Sequence, residues 1–457
     1  MKKILMRAVI SPFDEASAYD ILTKNRIGSN MGNMIFPYSV MRNLMTEDMV
    51  IDTTVTNKTF TEEEIDYINS EYECLVMPFA NAFRANYVGE LQNLTKLIKK
   101  LKIPFVVVGI GCSHSLKQDL NSELPYDDAA REFIKAVLDK SATIGLRGES
   151  TAEYLKHLGF KEETEYRVIG CPSMYLWGSY LPDIEKKELR PDSPVSVNWK
   201  INIPVEVHNY MKRSLAELTN YQYVPQILDE MMMMYYGTPL PGKKKYPRIP
   251  EGYPSMSNHP FYTEGKAKAF VNVPSWMEYL QTKDLSFGTR IHGNIVPLLA
   301  GIPSYIVAPD HRVTELARYH DIPHTMYTDL KEDDTIFTLY EKADYAPMLK
   351  NHRERYERYS AFLKENGLTP VLDQVGKMEK TIFDERVEQV NRQNQQVLEP
   401  FFSATVEEQA RRLEEIEGYY VRRYNKLKKK YDQVEQVDKT ISTYAEKFKR
   451  SLKKIWK

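Results

Sequence analysis

The 457 residues carry 62 Lys and Arg against 63 Asp and Glu, a formal net charge of -1, and are 42% hydrophobic. That length exceeds one ordinary domain and suits two domains with an appendage, while the balanced charge by itself points to neither nucleic acid nor membrane. Three widely separated cysteines (Cys74, Cys112, Cys171) have no spacing for a zinc site or disulfide framework, and no apolar run reaches the ~18 residues of a membrane span.

In chain order, MKKILMRAVISPF reads as a first β-strand over 3–10, because its apolar run is too short, and too soon broken by Arg7, for a signal peptide. Further apolar runs at 74–79, 104–110, 142–146 and 166–170 alternate with amphipathic stretches at 87–101, 126–139 and 150–158. Ser150 is the expected cap of the last stretch, Glu153 completes a capping box, and Gly159 stops it. Such alternation predicts a largely parallel sheet covered on both faces, in an N-terminal domain over 1–185. The polar, proline-punctuated segment 182–194 is the expected crossing to a second α/β domain over 194–345. There strands at 194–199, 221–227, 284–288 and 303–308 alternate with helices at 204–218, 274–281, 292–300 and 312–320. Residues 237–262, rich in Pro, Gly, Lys and Tyr, read as a long loop, and the runs Met231–Met234 and Tyr235–Tyr236 as packing. From 346 to 457 Glu, Lys, Gln and Arg dominate, which predicts a helical extension. Its end sets Tyr444, Phe448, Leu452 and Ile455 opposite a lysine-rich face, suited to packing on its own domain, to self-association, or to peripheral contact with an anionic membrane.

The turns between these elements hold the candidate chemistry. In DLSFGTRIHGNIVPLLAGIP (284–303) a strand ends at Phe287–Gly288, Thr289, Arg290 and His292 form the turn, and a helix starts near Gly293 and Asn294. A helix start beyond the carboxyl end of a parallel strand favours an anion. Arg290 is placed to supplement it, and His292, with an ordinary pKa of about 6.5, to exchange a proton near neutrality. The alternative jobs are a helix cap for His292 and a structural ion pair for Arg290. Arg147, in ATIGLRGESTAEYL, follows another strand, and its planar fork suits a carboxylate or phosphate. The loop IGSNMGNMIFP (27–37) brings Gly28, Asn30, Gly32 and Asn33 to where backbone can approach a ligand closely. His311 and Arg312 precede a helix and can join an anion site, whereas His114, between Ser113 and Ser115, fits either a cleft or a plain polar loop. The sequence has no metal cluster, P-loop, nucleophile elbow or basic-aromatic RNA surface.

The stretch FGTRIHGNIVPLLAGIPSYIVAPDHRVTELARYHDIP (287–323) closely resembles the C-terminal signature of polysaccharide pyruvyl transferases: a strand, an R-x-H-x-x helix start, an A-G-x-P turn, a second strand and an R-x-x-E-L helix. Asn30-x-Gly32 resembles the family's N-x-G-D loop, Gly109-x-Gly111 its glycine turn, and Arg147 with Ser150 its R-x-x-S helix start, so that the likeness extends over 1–345. The resemblance implies two Rossmann-like domains similar to GT-B glycosyltransferases. It also implies transfer of a pyruvyl group from phosphoenolpyruvate to two hydroxyls of a sugar, in a cell-surface polysaccharide or its precursor. A cyclic ketal forms and phosphate is released. On that reading Arg147 and His292 are catalytic, and Arg290, Thr289, Gly293, Asn294, Asn30, Gly32 and Asn33 surround the substrates. The implied partners are phosphoenolpyruvate and a sugar acceptor, a lipid-linked one being an option, with no nucleic acid and no metal or redox cofactor. A cytoplasmic location, free or at the inner face of the membrane, is the corresponding expectation. Three departures stand out: Asn33 replaces the family's Asp, Gly148 stands where an acidic residue commonly follows the arginine, and Gly170-Cys171-Pro172 replaces G-D-P. They keep two other functions in view, a glycosyltransferase using a sugar nucleotide and a non-catalytic scaffold of polysaccharide assembly.

Overall fold

A computed structural model describes residues 2–56, 58–112, 122–241, 245–391 and 397–455, with the side chains of the last helix described as far as residue 430. Its first half is built on parallel strands β1 (Lys2–Arg7), β2 (Met49–Thr54), β3 (Cys74–Pro78), β4 (Phe105–Val108), β5 (Ile144–Leu146) and β6 (Tyr166–Val168). Pairing runs β2-β1-β3-β4 and β5-β6. The two pieces are joined where Gly109 N donates to Gly145 O (2.9 Å) and Arg147 N to Ile110 O (3.0 Å). The central strands CLVMP and FVVV are buried at every position, as strands with both faces covered must be. Leu75, Met77, Phe105 and Val107 face one core with helices α3 (Val88–Lys100) and α4 (Asp127–Leu138). Val76, Val106 and Val108 face the other, under α1 (Ile35–Leu44). Helix α2 (Glu62–Glu71) packs beside α3, and α5 (Glu149–His157) follows β5.

The second unit repeats this plan. Strands β7 (Val195–Asn198), β8 (Tyr221–Tyr223), β9 (Leu285–Gly288), β10 (Ser304–Ala308) and β11 (His324–Met326) are all parallel, in the order β8-β7-β9-β10-β11. Helices α6 (Val205–Ala216), α7 (Leu228–Tyr236), α8 (Val273–Leu280), α9 (Ile291–Leu299) and α10 (His311–Tyr319) flank them. In each sheet the second strand lies on one side of the first and the third on the other, so the order reverses at β1/β3 and at β7/β9. Open α/β sheets bind ligands in the crevice beyond such reversals. The architecture is thus α/β with two Rossmann-like units, and one apolar core runs on from the α1 face of the first sheet into the second. The Met231–Met234 run belongs to that core, within α7.

The residues after 345 fold back over both units. Helix α11 (Ala346–Glu365) returns to the first, where Arg358 Nε donates to Val168 O (2.7 Å). Helix α12 (Ile382–Asn391) stays there, its Asp384 gripping the buried Arg42 of α1 at 2.8 Å. Residues Val397–Leu398 then pair antiparallel with Ala269–Phe270 of the second unit. Helix α13 (Val406–Ile455) starts against α7, with Arg412 Nη1 on Tyr235 O (3.2 Å), and then exposes Leu413, Tyr420, Tyr424 and Leu427. The side chains of Tyr444, Phe448, Leu452 and Ile455 lie outside the described ones. Among the described residues no helix is long and apolar enough to cross a membrane.

The helix after Arg147 is capped differently from expectation. Ser150 lies inside α5, whose N-cap is Gly148 with no side-chain cap. Glycine ends it as expected: Gly159 has φ +91°, Gly159 N donates to Lys156 O and Phe160 N to Leu155 O, both at 3.0 Å.

Candidate active site

At the first sheet's reversal, Arg7 closes β1 and its Nη1 donates to Pro78 O at the end of β3 (2.9 Å), with the guanidinium 5.2 Å from the Phe79 ring. The chain then presents Asn81 and Arg84, the latter lying over Tyr87 with its buried Nε unpartnered. From the second unit Arg312, in the first turn of α10, comes to the same place while bonded to Asp310 (2.7 Å). Together with Gly28, Asn30, Asn33, Phe36 and Pro37 these residues line a cavity of ≈ 350 Å³. That volume suits a small molecule. Its lining holds three arginines, one of them paired with Asp310 behind the wall, and no carboxylate, a charge balance that suits an anion. Burial lowers the pKa of Arg7 and Arg84 from the ordinary arginine value, which still leaves both charged at neutrality.

Arg147 lies directly behind this wall. Its Nε donates to Gly109 O (3.0 Å), Nη2 to Phe79 O (3.2 Å) and Nη1 to the cavity residue Asn81 at Oδ1 (3.1 Å). The fit depends on Gly111, where a Cβ would come within 2.8 Å of both Arg147 Cδ and Asn81 Oδ1.

His292 enters from the second unit in the first turn of α9. It is 8% exposed, packs against the bare Gly32 and the Phe36 ring, and has Nε2 3.7 Å from Cys171 Sγ. Burial, reinforced by the charge of Arg147, pushes its pKa down to about 3. Without a ligand His292 is therefore a neutral imidazole at every physiological pH, not the group titrating near 6.5 that the sequence suggests. Arg147, His292, Asn30, Gly32 and Asn33 thus converge, with Asn30 Oδ1 accepting from Gly32 N (2.9 Å) to shape the loop.

No residue of the α9 turn lines the cavity itself, and His292 meets it through Phe36. Arg290 forms a buried ion pair with Glu230 (3.4 Å) and donates to Trp199 O (3.2 Å). Thr289 Oγ1 accepts from Lys200 N (3.0 Å), and Asn294 Nδ2 donates to Arg290 O (2.9 Å). A Cβ at Gly293 would meet the amides of Asn198 and Gln226, so the bare glycine lets these two side chains pack against the helix. These residues hold the turn that carries His292. The cavity is richer than the sequence suggested, since Arg7, Arg84 and Asn81 carry no motif. His114 lies outside the described residues. Among the described residues no three His, Cys, Asp or Glu side chains cluster as a metal site would require.

Two parallel α/β units close over an arginine-lined cavity, with Arg147 of one packed behind it against Asn81 and His292 of the other against Phe36, a two-domain α/β architecture whose cavity suits a small anion. A family model described as polysaccharide pyruvyl transferase matches residues 64–311, more than half of the chain, and the protein belongs to that family. No curated protein matches. Among solved structures, Anabaena HepE in complex with UDP-glucose is similar at 10% identity, covering 86% of this chain and 100% of that one with a TM-score of 0.38. The UDP-GlcNAc 2-epimerase of Methanocaldococcus jannaschii has 10% identity, 86% and 99% coverage and a TM-score of 0.38. A functionally uncharacterized protein of Klebsiella pneumoniae has 11% identity, 71% and 92% coverage and a TM-score of 0.37.

Proposed function

We propose that the protein transfers a pyruvyl group from phosphoenolpyruvate to two hydroxyls of a sugar in a polysaccharide or its precursor, forming a cyclic ketal and releasing inorganic phosphate. The observation that carries this reading is the carboxylate-free cavity of Arg7, Arg84 and Arg312 set against Arg147 and His292. Phosphoenolpyruvate bears both a carboxylate and a phosphate, and planar guanidinium forks match each. Arg312 and Arg84 hold the phosphate, and Arg147, through its two unused Nη protons, holds the carboxylate alongside Asn81.

The donor's own charge changes the state of His292. An anion beside the ring opposes the field of Arg147 and raises the imidazole pKa, so donor binding brings a proton onto His292. The imidazolium gives that proton to the methylene carbon, and C2 becomes an oxocarbenium-like centre stabilised by the arginines. One sugar hydroxyl attacks C2 and gives its proton to the now neutral His292. The C2–O bond to phosphate breaks, and the second hydroxyl closes the ketal on C2 while its proton leaves on the phosphate, so that donor and diol yield ketal and hydrogen phosphate and His292 ends as the imidazolium with which it began. No metal or redox step is required.

The family match over residues 64–311 favours pyruvyl transfer over glycosyl transfer. Calorimetry with phosphoenolpyruvate tests the proposal directly. Binding should be tight in the parent, about tenfold or more weaker in Arg312→Ala, and accompanied by proton uptake that His292→Asn abolishes. Undiminished binding in Arg312→Ala, or preference for a sugar nucleotide, would overturn it.

A further inference from the structure

Helix α10 and its C-cap His320 touch the first unit, and two of the contacts lie over glycines, Gly148 and Gly170. Glu315 Oε1 accepts from Thr151 N (2.8 Å) and from Thr151 Oγ1 (2.9 Å) at the start of α5. It stands where the N-cap Gly148 offers none, and a Cβ at Gly148 would overlap Glu315 Cγ. One turn on, Tyr319 Oη donates to Val168 O (3.2 Å), and His320 Nε2 accepts from Cys171 N (2.8 Å) over the bare Gly170. Thr151 Oγ1 also accepts from Cys112 N (3.2 Å), beside the Gly111 that seats Arg147. Three residues before Glu315 on the same helix is Arg312 of the cavity.

We infer that Glu315 is a positioning residue: by capping α5 from the opposite unit it locks the two units together, setting Arg312 in the anion cavity and His292 against Arg147. A carboxylate at a helix N-terminus satisfies free N–H groups and meets the positive end of the dipole. Here the cap and the helix it caps belong to different units, so the bond reports on their closure. Burial raises the Glu315 pKa, which agrees with a site that requires an acceptor oxygen more than a charge. The missing acidic residue at Gly148 thereby has a reason: the space belongs to Glu315. The inference rests on the cavity described above but not on the reaction assigned to it.

The test uses the full chain, inorganic phosphate as probe, and small-angle scattering. Glu315→Ala should expand the particle and weaken phosphate binding about tenfold or more. Glu315→Gln keeps an oxygen for both Thr151 donors and should stay within about threefold of the parent. Gly148→Ala retains every bonding group yet wedges α10 away, and should reproduce Glu315→Ala; it keeps the test valid if Glu315→Ala fails to fold. Parent-like dimensions and phosphate affinity in Gly148→Ala would overturn the inference. In Arg312→Ala the dimensions should stay those of the parent while phosphate binding falls. If binding persists there, the anion cavity is misassigned and the scattering result still decides the latch.

Discussion

Gly32 lies so close to His292 that an added Cβ would come within 2.8 Å of the histidine Cβ and 2.9 Å of Nδ1. The histidine Cβ is fixed to a helix and cannot swing aside, so Gly32→Ala must move either the loop or the imidazole ring. Overpacking of this kind costs about 1–3 kcal/mol. We expect a modest fall in melting temperature and a much larger loss of turnover, checked by running both measurements on one preparation; full activity would mean that the loop does not seat His292. At this scale the sequence displays Arg147, His292, Asn30 and Asn33, because each stands at a strand end, helix start or glycine turn. Arg7 and Arg84 are silent until β1 lies beside β3, since nothing local marks an arginine at the end of one strand as the neighbour of another. Arg290 shows the converse. Its turn suggests an anion ligand, but Glu230, 60 residues earlier, takes its charge.

Among the elements, those with a solvent face can be read and those without one cannot. The amphipathic α3 and α4 follow from their periodicity, whereas all ten residues of α1 are buried and its polar Ser39, Arg42 and Asn43 make interior bonds instead of marking a solvent face. Helix α5 can be placed from its sequence, yet its cap comes from Glu315 of another unit, beyond the reach of any local rule. Helix α12 is tied down by a bond that its composition does not announce. Arg42 Nε reaches Asp384 Oδ1 at 2.9 Å, Nη2 reaches Oδ2 at 2.8 Å, and Nη1 donates to Leu176 O at 2.7 Å. The Arg42 side chain is 2% exposed and that of Asp384 17%. Removing the carboxylate leaves a guanidinium buried and uncompensated, at a cost of about 3–5 kcal/mol. Asp384→Ala should therefore lower the urea midpoint sharply, and a shift below about 1 kcal/mol would show α12 to be dispensable.

For the molecule as a whole, acid is the expected weakness. The pKa of His292 is held at about 3, that of His352 at about 4, and that of His320 well below the ordinary value, burial being the main cause in each case. Below about pH 6.5 the unfolded chain takes up protons that the folded chain refuses, so stability is complete above that pH and falls as pH drops toward the folded values. Each such histidine removes about 1.4 kcal/mol per pH unit across its window. Urea midpoints at pH 7.5 and pH 5 should differ accordingly, and equal midpoints would mean that these rings are solvated.

The bond between Arg42 and Asp384 spans 342 positions of chain, and α11 and α12 complete the packing of a unit whose strands end at Val168. During synthesis, then, the first unit cannot finish folding when its own strands have left the ribosome. It waits, with the faces beneath α11 and α12 uncovered, until the second unit and the returning helices have been made. Contacts this distant in sequence slow folding and prolong the exposure of apolar surface. A nascent chain halted before residue 346 would leave the ribosome as a client for chaperones, and not as a finished smaller enzyme.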